Sequence, residues 1–332
     1  MTAPTEQPPL ALLRSELDRI DEAMHRLLME RGEIISRLIA VKRTSESGSA
    51  FRPAREADMM RRLVERHGGI LPLDTAESIW RVIIATFTYV QAPFSVHADF
   101  SAGEPAMRDC ARFHFGFTVP LVGHLGPAGV LSAIAASPGD LGLVAVTETG
   151  GGAWWTALEP QDAPKIIARL PFVERGDHPA GLPVFAIARP HPDAVVNDVK
   201  MWSVRVAGWG PAPAQALAGL AEAVAVPDRG FDGAALLIAV PEGVPLDDVT
   251  GALVAAGASV RSCTLAGSHA SRYRVSPDAR RANRSVDQGL GHKETGHRET
   301  GHRETGHRET GEPGHKGPGD SGPEQNPSRS HA

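Results

Sequence analysis

The feature that most constrains this chain is an apolar stripe close to its start. Leu13, Leu17, Ile20, Met24, Leu27, Leu28, Ile34, Ile35, Leu38 and Val41 recur at spacings of three, four and seven, with no proline among them. The period is helical and is sustained over roughly 30 residues, so the helix spans about 50 Å at 1.5 Å per residue. A face of that length cannot be buried against a small domain of its own. It asks for a second copy of the chain, with long helices paired antiparallel in an intertwined dimer. Gly32 is the one weak point in the helix.

The rest of the first 92 residues also reads as helical. Residues 1–9 hold prolines and are expected to be a disordered leader. SESGS (45–49) interrupts the first helix, and Pro53 suits the first turn of a second that runs to about Arg66. HGGILP (67–72) is a breaker. Asp74 is expected to cap a third helix, with Glu77 as its capping-box partner. That helix runs through Ile79, Ile83, Phe87 and Val90 and stops before Pro93.

From Phe94 the pattern changes to α/β. LGLVAV (141–146), PVFAIA (183–188), WSVRVAGW (202–209) and ALLIAV (235–240) read as strands, and VLSAIAA (130–136) and PAQALAGLAEAVA (213–225) as helices. Residues 246–267 read as a helix followed by a strand, and order is expected to end near Val275. The tail from Ser276 contains GHKETGHRETGHRETGHRET (291–310), a five-residue unit four times over, without an apolar residue. Such a segment cannot bury a core and is expected to be disordered. Its spaced histidines offer a transition metal weak ligands at most, and a solvated tail is the favoured reading.

Composition excludes several classes. Hydrophobic content of 42% with 22% charged residues is globular, and a formal net charge of −5 gives no reason to expect nucleic acid. Two cysteines, Cys110 and Cys263, cannot build a disulfide framework, which points to a reduced, cytoplasmic protein. The first residues lack the basic and apolar regions of a signal peptide. No run of about 18 apolar residues is present, so no membrane span is expected.

The cations are uneven. Of 34 Lys+Arg residues only five are lysines, and Lys42 is the only one before Lys165. It ends the first helix, just before the loop that leads to Arg55 and Glu56. On a continuous helix Arg31 and Lys42 lie about 20° apart in direction and roughly 16 Å apart along the axis. Both side chains can lean into one small anion site. Arg14 is about 100° and roughly 25 Å from Arg31, so it would join such a site from a second subunit. Helix dipoles alone also favour a lysine at a helix end and a glutamate at the next helix start.

LLRSELDRIDEAMHRLLMERGEI, AVKR, RPAREADMMRRL and IWRVIIATFTYVQ together resemble the all-helical, type II class of chorismate mutases. The resemblance covers about a quarter of the chain and nearly all of residues 10–92. It implies a three-helix chain in an intertwined homodimer. It also implies rearrangement of chorismate to prephenate in the shikimate pathway of aromatic amino acid biosynthesis, an isomerase reaction needing no cofactor and no covalent step. By the same resemblance, Arg14 reaches one substrate carboxylate across the dimer interface and Arg31 holds the other. Lys42 and Gln91 donate to the ether oxygen, Glu56 takes the ring hydroxyl, and Arg55 supports the site. The chain departs from the pattern at Arg52, where relatives often carry aspartate. It departs again at Phe87, in place of a site serine that the adjacent Thr88 could replace. The loop after Lys42 is one residue longer.

The α/β part, residues 93–275, faintly resembles a degenerate prephenate dehydratase. GDLGLVAVTETGGG (139–152) is similar to that family's strand and loop before its cleft, but HLGPAGV (124–130) lies out of order and no threonine or arginine precedes Phe185. Residues 200–275 allow a ferredoxin-like, ACT-type module. His124 and Glu148 are polar candidates in the α/β part as a whole, with structural roles favoured for both. Three alternatives to a monofunctional mutase stay open: a bifunctional mutase–dehydratase, a non-catalytic dimeric metabolite sensor, and an isochorismate pyruvate lyase.

Overall fold

The computed structural model describes residues 9–42, 50–101, 103–146, 152–190, 196, 198–226 and 233–275. The expected leader, the loop after Lys42, Glu148 and the repeat tail lie outside these residues.

The apolar stripe forms one helix, α1 (Leu10–Lys42). Its side chains are mostly exposed: Leu17, Met24 and Leu27 keep 60%, 52% and 61% of their surface. Only a short face around Arg31, Ile35 and Leu38 is half-buried. Gly32 lies on that face, and a Cβ there would meet the Phe87 ring at 3.6 Å, an ordinary contact. Helix α2 (Pro53–Arg66) starts on its proline and buries Glu56, Met60 and Leu63. Helix α3 (Leu73–Gln91) buries Glu77, Arg81, Ile84 and Thr88, at spacings of four, three and four.

The expected cap of α3 is corrected. Pro72 is the N-cap and no side chain caps the helix. Asp74 lies inside the first turn, and Glu77 turns inward to ion pairs described below. Its partners lie far along the chain, beyond the reach of a local capping rule.

The remaining elements form a mixed nine-stranded sheet with helices. In chain order they are β1 (Val96–Asp99), α4 (Glu104–Phe115), β2 (Leu121–His124), α5 (Pro127–Ala136) and β3 (Leu141–Ala145). Then follow β4 (Lys165–Leu170), β5 (Val173–Glu174), β6 (Val184–Ala188), β7 (Val199–Ala207), α6 (Pro211–Ala218) and β8 (Glu222–Ala225). The last are β9 (Ala234–Pro241), α7 (Leu246–Ala255), β10 (Ser259–His269) and β11 (Tyr273–Arg274). The sheet order is β2-β1-β3-β6-β4-β10-β7-β9-β8, and β5 pairs with β11 separately. The stretch 213–225, read above as one helix, divides instead. α6 ends at Ala218, and Glu222–Ala225 pairs antiparallel with β9, so cross-strand pairing overrides the alanine content.

From β7 to β10 the order is βαββαβ, and the four strands lie antiparallel as β10-β7-β9-β8. This is the ferredoxin-like arrangement. It joins the other half of the sheet where Gly267 meets Ile166 in parallel register. Gly267 has φ +149°, and a Cβ there would lie 2.2 Å from the Ile166 carbonyl oxygen. No other residue permits this approach.

One buried cluster runs from α2 and α3 into the first half of the sheet, and the β7–β10 half packs in two further clusters. Phe51, Met60, Leu63, Ile84 and Ala85 share a buried cluster with Phe94, Val96, Met107, Phe115, Leu141 and Leu170. Among the described residues no helix is long and apolar enough to cross a membrane.

Candidate active site

The site is built where α1, α2 and α3 meet. α1 brings Arg31, Ile35 and Leu38; the start of α2 brings Arg52, Arg55, Glu56 and Met59; the last turns of α3 bring Ile84, Phe87, Thr88 and Gln91. These side chains line one cavity of about 110 Å³. Arg31, Arg55, Glu56, Thr88 and Gln91, all expected from the sequence, are thus together. Arg14 is not: it lies exposed on the far part of α1. Lys42 ends the same helix, and its side chain is outside the described residues.

The electrostatics favour an anion. The Arg31 guanidinium sits over the Phe87 ring, 5.3 Å from its centroid. Among the described residues its Nε has no hydrogen-bond partner. Burial, and after it the positive charge of Arg55, pushes Arg31 below the usual arginine range. Two mutually repelling guanidiniums on one wall are relieved by a negatively charged ligand. Gln91 donates its Nε2 hydrogen to the Phe87 carbonyl at 2.9 Å, which fixes the amide at the end of α3. Phe87 serves as the aromatic floor under Arg31.

Glu56 has a partner that the sequence reading missed. Arg81 Nη1 donates to Glu56 Oε2 at 2.8 Å, and Arg81 Nη2 donates to the His114 carbonyl at 3.0 Å. Both side chains are buried. The Arg81 guanidinium also lies 5.2 Å from the Phe172 ring centroid. Burial raises the Glu56 carboxyl above the usual range, and the charge and hydrogen bond of Arg81 oppose that rise. A signal for Arg81 was present: it stands in the otherwise apolar IWRVIIATF, in phase with Ile84 and Thr88. One turn earlier, Glu77 is fully buried. It accepts from Arg175 Nη1 at 3.1 Å and lies 3.2 Å from His178 Nε2. Two buried ionic groups therefore fasten α3 to the α/β part.

A family model described as chorismate mutase type II matches residues 13–92. The helical N-terminal region is a chorismate mutase type II domain. The match covers about a quarter of the chain and takes in all three site helices. No curated protein and no solved structure matches the chain. In the mutase domain the departures from the family pattern, Arg52 and Phe87, both line the cavity.

Of the polar candidates in the α/β part, His124 Nε2 lies 2.9 Å from His97 Nδ1, and His97 Nε2 lies 3.3 Å from Asp140 Oδ2. Asp140 also accepts the Ser95 backbone N–H, so this string ties β1 and β2 to the residue that precedes β3.

Proposed function

We propose that the protein catalyses the rearrangement of chorismate to prephenate as a homodimer, in the biosynthesis of aromatic amino acids. The observation that carries the reading is the convergence of Arg31, Arg55, Glu56, Thr88 and Gln91 on one cavity inside a chorismate mutase type II domain. The substrate is a dianion whose ether bond breaks as a new carbon–carbon bond forms. Catalysis is then preorganised electrostatics and selection of a compact conformer, with no nucleophile.

Arg31 binds one carboxylate, with Arg55 behind it, and Thr88 adds a hydroxyl. Gln91 and Lys42 donate hydrogen bonds to the ether oxygen, where charge develops. A lysine suits a single oxygen, because a compact ammonium needs no bidentate partner. Glu56, held by Arg81, accepts the hydrogen bond of the ring hydroxyl. The second carboxylate falls to Arg14 of a second copy, and the exposed stripe of α1 supplies the surface on which that copy would pair.

The test is the loss of chorismate absorbance with purified full-length protein. Wild type should turn over. Lys42→Ala and Arg31→Ala should each fall at least about 100-fold in kcat/KM, the scale for removing a preorganised donor. Full activity in Lys42→Ala refutes its role. No turnover by folded, dimeric wild type would favour a metabolite sensor. Appearance of phenylpyruvate from prephenate would establish the bifunctional alternative.

A further inference from the structure

A second cavity shares no lining residue with the mutase site. It opens between β4, the β5–β11 pair, α6, β8 and the end of β10, and encloses about 690 Å³. Val199, Leu217, Leu220 and Ala239 give it an apolar wall.

Its polar lining is unbalanced. Three arginines, Arg169, Arg272 and Arg274, face two glutamates, Glu174 and Glu222. Arg169 is nearly buried and spends both terminal nitrogens on Glu222, at 3.0 and 3.1 Å. Its Nε, also buried, has no hydrogen-bond partner among the described residues. Glu174 is shared: Arg274 Nε donates to its Oε2 at 2.9 Å, while Arg272 Nη2 stands 3.3 Å from the same oxygen. Burial and the nearby Arg169 push Arg272 below the usual arginine range. The lining thus carries one more positive than negative charge, with Arg169 and Arg272 largely buried and Arg274 exposed at the rim.

His269 adds a second requirement. It is buried, and its Nδ1 lies 2.8 Å from the Ala270 carbonyl oxygen. Only a protonated Nδ1 can donate there, which makes Nε2 a bare acceptor. Burial pushes the imidazole down to about 4, so the ring is neutral at neutral pH. Nε2 is buried without a partner among the described residues. A buried acceptor left unpaired destabilises the fold, and a ligand donor at this position relieves it.

We propose that this cavity binds a small α-amino or α-hydroxy carboxylate. The carboxylate answers the excess arginine charge at Arg272, and the neighbouring N–H or O–H donates to His269 Nε2. The apolar wall and the volume take a side chain up to aromatic size. The site stands independently of the mutase reading.

Calorimetric titration of the full chain at neutral pH tests it. The probes are alanine, phenylalanine, lactate and phenyllactate, beside acetate and 3-phenylpropionate, which lack the α donor. At least one α-substituted acid should bind saturably, and its donor-less analogue should bind at least 10-fold more weakly. Binding by the amino acids alone identifies an ammonium as the donor, and binding by the hydroxy acids alone a hydroxyl. Arg272→Gln should lose at least 10-fold in affinity, and Arg272→Lys should lose less. Should Arg272→Gln fail to fold, the comparison of analogues on wild-type protein still decides. No saturable binding by any probe, equal binding of the donor-less acids, or wild-type affinity in folded Arg272→Gln overturns the proposal.

Discussion

Arg81 shows what one buried side chain does for another. Glu56 is enclosed and its carboxyl is raised by burial, yet the proposed role needs a hydrogen-bond acceptor facing the cavity. Arg81 holds that carboxylate in place and opposes the rise. In Arg81→Met the opposing charge is gone, so the Glu56 carboxyl rises further. An acid whose folded-state pKa lies above its unfolded value binds its proton more tightly when folded. Its ionised form therefore costs stability at high pH, and the cost fades as pH falls below the folded pKa. Arg81→Met should lose about 3–5 kcal/mol at neutral pH, the range for breaking a buried pair. The loss should shrink in acid, as denaturant unfolding across pH will read. The acid limb of the mutase kcat/KM profile should move to higher pH in the same variant. A pH-independent stability loss with an unmoved limb would separate Glu56 from Arg81.

At the scale of elements, α1 explains both what the sequence made legible and what it concealed. Its helix, its length and its unpaired stripe follow from apolar spacing alone, because a periodic face survives any tertiary context. The bounds of α2 and α3 are equally legible from Pro53, HGGILP and Pro93. The resemblance to the family pattern selected Arg31, Arg55, Glu56 and Gln91 in advance, with Thr88 as a stand-in beside Phe87, and all five line one cavity. Local rules failed where a distant partner decides the outcome. Glu77 looked like a cap and is a buried counter-ion of Arg175; Glu222–Ala225 looked helical and completes a sheet edge. The exposed leucines of α1 also carry a prediction. If a second copy pairs along the stripe and lends Arg14, then Leu17→Glu combined with Leu27→Glu places buried charges in that interface. Sedimentation should show the double variant as a monomer, with chorismate turnover reduced at least about 100-fold. An active monomer would remove Arg14 from the site.

For the whole molecule, the question is why a three-helix domain of the mutase type carries so large an α/β part. The buried cluster gives a physical answer. Phe51, Met60, Leu63 and Ile84 reach their neighbours across the boundary, in Phe94, Met107 and Phe115. The two carboxylates buried with the helices are held in different ways. Glu56 depends on Arg81, whose second hydrogen bond ends on the His114 carbonyl, while Glu77 depends on Arg175 and His178. Cutting the chain after Ala92 would strip Glu77 of both partners and expose the apolar faces of α2 and α3. A buried carboxylate that loses its counter-ion costs several kcal/mol, comparable with the stability of a small domain. Residues 1–92 alone should therefore aggregate or melt far below the full chain. Calorimetry of the full chain should show α2 and α3 unfolding in one cooperative transition with β1, β3, β4 and β6, because these elements share one buried cluster. Two separated transitions, or a 1–92 fragment with full mutase activity, would mean that the α/β part is dispensable for the fold of the site. The single transition would instead make it the scaffold that holds α3 and, through Arg81, the carboxylate of Glu56.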